Sequence, residues 1–379
     1  MALSLQALET SEAAAPDPRQ GGRKVAAALS GGVDSAVAAA LLLERGDQLI
    51  GMTLRLHDEP APSRGRHGSC CAPEDLEDAR RVARQLGLPF YLLSAEDRFE
   101  RHVVGPFVEA YLRGETPLPC AACNRHLKFG HLLRRARAIG HRLCTGHFAR
   151  IGRSADGRYQ LLRARDERRD QSYFLYGLSQ EALAQLEFPV GELTKDEVRA
   201  AAQRLGLRVA QKPDSQELCF APRDYGAFVE ARAATGPVAG AFVDEAGRSV
   251  GSHRGIHRYT VGQRRGLPVV GRLEGQQARY VRRIDARTNE IELGPGASLE
   301  RHELEVDGVS YPGGAPSQPF EALVRIRHRH AGELATVTPL SSGRARVRFR
   351  TPVRAPAAGQ AAVFYAGDVT VGGGTILPA

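Results

Sequence analysis

The chain has 379 residues, 42% of them hydrophobic, and a formal net charge of +9. That length suits two or three domains, and no apolar run is long enough for a membrane-spanning helix. Met1–Gly22 lacks a basic segment followed by an apolar core, so it reads as a disordered extension and not a signal peptide. A cytoplasmic location is expected, where the six cysteines are more readily reactive or metal-bound than paired as structural disulfides.

In chain order, Val25–Leu29 predicts a buried strand, Ser30-Gly31-Gly32-Val33-Asp34-Ser35 a tight loop, and Ser35–Glu44 an Ala- and Leu-rich helix stopped at Gly46. A strand, a glycine turn and a helix start make an anion site, because free N–H groups and the helix dipole converge there. Ser30 and Ser35 add hydroxyl donors, and Asp34 suggests Mg²⁺ or a cap. Gln48–Leu54 is a second strand, His57–Cys71 a polar loop, and Pro73 opens a helix to Leu86. Phe90–Leu93 is a third strand and Phe99–Leu112 a helix. Strands alternating with helices predict an α/β fold with a doubly wound parallel sheet, its ligand at the carboxyl ends of the strands.

Glu115–Ala122 reads as a loop, Cys123–Ala138 as a helix, and Leu143–Cys144 as a strand leading into Thr145-Gly146-His147. Tyr159–Arg163 and Tyr173–Tyr176 are β-like, and Thr194–Glu197 is a capping box for a helix to Leu205. Beyond an irregular Gln211–Phe220 the character changes. Short strand-like segments follow at Gly240–Val243, Gln277–Asp285, Glu290–Leu293, Leu323–Arg327, Ala335–Pro339 and Arg344–Arg350, which suggest a small β-barrel. Expected boundaries near 225 and 295 give a disordered extension (1–22), a catalytic domain (23–225), a linking domain (226–295) and a C-terminal β-barrel (296–379).

Residues 251–350 hold 17 arginines, no lysine and 10 acidic residues, leaving +7. The balance fits a phosphate-backbone surface and equally fits solvated arginine-rich faces. Cys120 and Cys123 stand at the mouth of a helix, where the dipole favours a thiolate. Cys219 lies far off in sequence. Two remote thiols meeting over a nucleotide site would permit sulfur transfer through a persulfide and a disulfide; zinc binding or a redox pair are comparable readings of a CxxC. Cys144 reads as a core residue; Cys70-Cys71 read as of no role, with a second redox pair as the alternative.

The loop Ser30–Ser35 resembles the SGGxDS loop of the ATP pyrophosphatases. With TPxPxxxCN at Thr116–Asn124, KF at Lys128-Phe129, TGH at Thr145–His147, DQSYFL at Asp170–Leu175, GELTKDEVR at Gly191–Arg199, KPDSQELCF at Lys212–Phe220, TVGQRRGL at Thr260–Leu267 and PAAGQAAVFY at Pro356–Tyr365, the chain resembles the bacterial tRNA-uridine 2-sulfurtransferases of the wobble uridine. The resemblance implies that ATP, with Mg²⁺, sits on Ala28, Leu29, Ser30, Gly31, Gly32, Val33, Asp34 and Ser35, with Leu54 and Gly146 on the adenosine side. It implies Cys123 as nucleophile and Cys219 as persulfide carrier. Leu118, Pro119 and Cys120 would lie by the target base of a tRNA anticodon, and His147, Arg169, Asp170, Gln171, Arg327, His328 and Gln360 would contact tRNA. Sulfur would come from a cysteine desulfurase or relay protein. The chain departs from the family pattern in having Leu118-Pro119-Cys120 for Asn-Pro-Asp, Arg169 for Lys and His328 for Tyr. An alternative makes Cys120, Cys123 and Cys219 ligands of a [4Fe–4S] cluster. Rival functions are another ATP pyrophosphatase acting on RNA, or a non-catalytic RNA-binding protein.

Overall fold

The structure is a computed structural model and describes residues 22–56, 73–214, 218–221, 224–234, 236–267 and 278–378. The expected extension up to residue 21, the loop carrying Cys70 and Cys71, and Ser215, Gln216 and Glu217 lie outside the described residues.

The strands of the first half are β1 (Lys24–Ala28), β2 (Gln48–Arg55), β3 (Phe90–Ser94), β4 (Arg142–Cys144), a hairpin of β5 (Arg150–Arg153) and β6 (Tyr159–Leu162), and β7 (Leu186–Glu187). Five of them form a parallel sheet in the order β3-β2-β1-β4-β7. Its helices are α1 (Val33–Glu44), α2 (Pro73–Gln85), α3 (residues 96–112), α4 (residues 119–138) and α5 (Lys195–Arg204), with a short α6 (Tyr225–Glu230) after them.

Successive side chains of β1 feed opposite cores, as the two-residue period of a strand demands. Val25 and Ala27 pack with Val37 and Leu42 of α1 and Val198 of α5. Ala26 packs with Phe129, Leu132 and Leu133 of α4 on the other face. This is the doubly wound arrangement expected, and it explains why β1 is apolar at each position from Val25 to Ala28 and not at alternate ones. The capping box forms as read: Thr194 accepts from the Glu197 N–H, and Glu197 returns the bond to the Thr194 N–H.

Two expectations need correction. The helix bearing the paired cysteines begins at Pro119, not Cys123, with proline in its first turn where a missing N–H costs nothing. Residues 124–132 of that helix, and 100–104 of α3, are π-helical. The segment Tyr173–Tyr176 is no strand. Asp170 Oδ1 accepts from the N–H groups of Ala164 and Ser172 (3.2 and 3.1 Å), which curls Ser172–Phe174 into a 3₁₀ turn.

Downstream, β8 (Gly240–Val243), β9 (Ser249–His253), β10 (Arg279–Asp285) and β11 (Glu290–Pro295) make a sheet in the order β10-β11-β8-β9 around Phe242, Val281 and Ile291. Then β12 (Glu300–Ser310), β13 (Phe320–Arg325), β14 (Glu333–Pro339), β15 (Ala345–Arg354), β16 (Ala361–Ala366) and β17 (Val369–Ile376) run antiparallel and close through the β12–β17 pairing. This is a six-stranded barrel, the architecture expected, filled by residues such as Val324, Val347 and Phe364. The β5–β6 hairpin extends the barrel sheet through Leu162 and Val369, so the first domain reaches onto the last. Among the described residues no helix is long and apolar enough to cross a membrane.

Candidate active site

At the carboxyl end of β1 the chain turns through Ser30–Ser35 into α1. Ser35 Oγ donates to the Gly32 carbonyl (3.0 Å) and accepts from the Ser30 N–H (3.1 Å). The serine hydroxyl expected as an anion donor is therefore used in closing the loop. Gly32 is the N-cap and supplies no side-chain cap, so the first-turn N–H groups of α1 remain for an anion. Two glycines are sterically required. Gly31 has φ +70°, and a Cβ there would meet the Asp75 carbonyl at 2.2 Å; a Cβ on Gly146 would meet the Ser35 nitrogen at 2.5 Å.

Charge locks the loop from two sides. Lys195, buried at the start of α5, places Nζ 2.6 Å from both Asp34 Oδ1 and Asp214 Oδ1. Asp214 also pairs with Arg169 (2.8 Å) and Arg199 (3.1 Å). Lys212 Nζ donates to Asp75 and Asp78 (2.5 Å each) and to the Gly31 carbonyl (3.0 Å). Burial pushes the Asp34 carboxyl above its ordinary value, outweighing the Lys195 ammonium beside it. At Lys212 burial works against the charge, but the hydrogen bonds it donates to Asp75 and Asp78 prevail and raise its pKa.

The loop opens on a cavity of about 1040 Å³. Of the sequence-predicted residues, Ala28, Leu29, Ser30, Gly32, Val33, Asp34, Ser35, Leu54, Pro119, Cys120, Cys123, Gly146, His147, Arg169, Asp170, Gln171, Cys219 and His328 border it. Gly31, Leu118, Arg327 and Gln360 do not. Leu118 lines a separate cavity of about 200 Å³. Arg327 is exposed in the turn after β13, where it donates to the Arg354 carbonyl (3.2 Å). Gln360 Nε2 donates to the carbonyls of Thr116 and Pro117 (2.9 and 3.3 Å), just ahead of α4.

Eight cationic side chains and five acidic ones border the large cavity, a wall suited to a polyanion. Sequence reasoning quoted the segments that carry Lys195, Lys212 and Asp214 without singling these residues out. A lysine placed just after a capping threonine, aimed at a strand end, was the available signal.

The thiol side is apolar. Cys123 closes the first turn of α4, and Cys219 lies 96 positions later, yet both pack against one cluster built from Phe99, Val103, Phe107 and Phe228. Asn124 beside Cys123 ties α4 to the Phe174 carbonyl (3.1 Å). His147 Nε2 lies 3.5 Å from Lys128 Nζ, which can only donate, so Nδ1 carries the proton and donates to Thr145 Oγ1 (2.8 Å). The His328 ring lies tilted against Phe174 (4.6 Å between centroids) and donates to the Asp170 carbonyl (3.2 Å); burial lowers its pKa. Cys144 is buried and its thiol is pushed up by that burial, as fits a core residue. Among the described residues no group of three His, Cys, Asp or Glu is placed to hold a metal ion, so the arrangement gives the [4Fe–4S] alternative no support.

A parallel sheet whose first strand feeds a self-laced glycine loop, with cations converging on it, defines a nucleotide-binding α/β domain. The family described as tRNA methyl transferase HUP domain matches residues 23–223, the tRNA methyl transferase PRC-barrel domain 227–295, and the aminomethyltransferase beta-barrel domain 301–376. The tRNA-specific 2-thiouridylase MnmA of Geobacter metallireducens is 46% identical over 93% of this chain and 96% of its own length. That of Moorella thermoacetica is 46% identical over 92% of this chain and 98% of its own. This chain belongs to the tRNA-specific 2-thiouridylase family. The U34-tRNA thiolase NcsA of Methanococcus maripaludis, solved with its [4Fe-4S] cluster, superposes with a TM-score of 0.35 at 18% identity, covering 57% of this chain and 65% of that one; so distant a likeness says nothing of the reaction.

Proposed function

We propose that this chain is an ATP-dependent sulfurtransferase that makes 2-thiouridine in tRNA, at the wobble position, number 34. The reading is carried by one observation. Two thiols 96 positions apart border the same cavity as the glycine loop. In this reading the C2 oxygen of the uridine attacks the α-phosphorus of ATP, the α–β bridging bond breaks, and pyrophosphate leaves. The first-turn N–H groups of α1, Lys195 and Lys212 stabilise the charge that develops. Asp34 is the carboxylate suited to Mg²⁺, which would supply further charge neutralisation.

Cys219 arrives loaded as a persulfide by a persulfide-bearing donor protein. Its outer sulfur attacks C2 and AMP departs. The Cys123 thiolate attacks the inner sulfur, so the S–S bond of the persulfide is replaced by a Cys123–Cys219 disulfide and the sulfane sulfur is reduced as the two thiols are oxidised. An external dithiol then restores both cysteines. Pro119 and Cys120, which border the cavity, would lie by the target base with Leu118 behind them; His147, Arg169, Asp170, Gln171 and His328 would meet tRNA at the cavity, and Arg327 and Gln360 outside it. Residues 23–225 carry the chemistry, 226–295 link, 296–379 hold RNA, and the protein works in the cytoplasm.

The test is incubation with ATP, a low-molecular-weight persulfide and an unmodified tRNA transcript, followed by mass spectrometry of the nucleosides. Oxygen-to-sulfur exchange at one uridine is expected, and Cys123→Ala should abolish it. Unchanged exchange in that variant would overturn the mechanism.

A further inference from the structure

A persulfide carrier must bring its sulfur to both the activated base and the resolving thiol. The residue after Cys219 shows what the carrier is anchored to. The Phe220 ring meets Phe107 edge-on at 5.1 Å (85°), Phe99 edge-on at 5.5 Å (80°), and Phe228 at 5.5 Å (59°). Phe99 and Phe107 both belong to α3, two helical turns apart, and Phe228 belongs to α6. Contacts from three directions fix a ring in orientation as well as position, and each edge-to-face pair adds about 0.5–1.5 kcal/mol beyond the area it buries. Ala221 on the other side is 3% exposed, so the backbone at 219 is drawn against the same cluster.

The other thiol uses the same reference. Cys123 rides on α4, whose Leu127 is fully buried against the cluster that contains Val103 and Phe107 of α3. Helices α3 and α4 also stack His102 on His126, with centroids 4.8 Å apart. Helix α3 is thus the common ruler: α4 sets Cys123 from it, and Phe220 sets Cys219 from it.

We propose that Phe220 is the positioning residue for Cys219, holding its sulfur over the cavity by its seat among Phe99, Phe107 and Phe228. The inference rests on the reading of Cys219 as sulfur carrier. Displacement of a reacting group by about 1 Å costs about 10²-fold in rate, so the seat matters to sulfur transfer and not to adenylation.

The experiment compares wild type, Phe220→Ala, Phe220→Leu and Cys219→Ala in two assays on the full chain: single-turnover pyrophosphate release with ATP and tRNA transcript, and thiolation with a low-molecular-weight persulfide. Diamide oxidation, with mass spectrometry of the 123–219 linked peptides, reports how often the two thiols meet. The expected result for Phe220→Ala is about a 10²-fold loss of thiolation and of linked peptide, with pyrophosphate release within about threefold of wild type; Phe220→Leu should restore most of both. Equal losses in pyrophosphate release and thiolation would overturn the proposal and make Phe220 a folding residue. Normal thiolation in Phe220→Ala with none in Cys219→Ala would overturn it while leaving the carrier reading intact. Normal thiolation in Cys219→Ala would instead overturn the carrier reading itself.

Discussion

Around the glycine loop, side chains are tied by charge: Lys195 is shared by Asp34 and Asp214, and Lys212 by Asp75, Asp78 and the Gly31 carbonyl. Around the thiols the walls are Phe99, Val103, Phe107, Phe220 and Phe228. On the proposed reaction, ion pairs suit a place where a nucleotide polyanion binds and pyrophosphate leaves, because one partner can be exchanged for another. Packing suits a place where an uncharged geometry must be kept through the cycle, because close-packed side chains allow few alternatives. The two ends should therefore answer differently to charge removal, crowding, pH and salt.

Lys195→Met tests the charged end hardest. It strands the part-buried Asp34, while Arg169 and Arg199 still cover Asp214. The expected cost is about 3 kcal/mol in urea denaturation and about 10²-fold in pyrophosphate release. Adding Asp34→Asn should return part of the stability; no recovery would mean the pair is not coupled. Gly146→Ala forces a methyl group against the Ser35 nitrogen, and about 2 kcal/mol of destabilisation is expected, with a raised KM for ATP. Thr194→Ala removes the cap that starts α5 and should cost about 1 kcal/mol by thermal melting.

The pH response sharpens the comparison further. The Asp34 carboxyl binds its proton more tightly in the folded chain than in the unfolded one, because burial raises its pKa from 3.8. Folding stability contributed by this group therefore falls as pH rises from 3.8 to the raised value and is constant above it. Asp34→Asn should flatten that part of the profile, measured by denaturation from about pH 4 to about pH 7. The smallest effect is expected at Arg327: its replacement by Ala should reduce the salt slope of tRNA binding by about 1 in filter binding, with the reaction rate at saturation unchanged.

The glycine loop, its strand and its helix were legible because local signals agree: an apolar run, a turn and a helical period in 20 residues. The capping box of α5 was legible for the same reason. What that helix carries was not, because the Lys195–Asp34 contact spans 161 positions and no local pattern encodes it. The start of α4 was misplaced because Pro117 and Pro119 together read as a loop, whereas only the first stays outside the helix. Tyr173–Tyr176 has strand-like residues, but Asp170 supplies turn hydrogen bonds that outweigh that preference. Cys123 and Cys219 were legible as candidates, and the aromatic cluster they share was not, since Phe99, Phe107 and Phe228 have no shared motif.

Ahead of α4 the chain is grasped by the barrel: the Thr116 N–H donates to the Ala358 carbonyl (2.7 Å), and Gln360 holds the carbonyls of Thr116 and Pro117. The middle domain adds Thr260, whose hydroxyl lies 3.3 Å from that of Thr116. The catalytic half is consequently no portable module. A fragment ending before the barrel would keep its glycine loop but lose the outside grip on the segment that leads into Cys123, so on the proposed mechanism nucleotide turnover would outlive sulfur transfer as the protein is shortened.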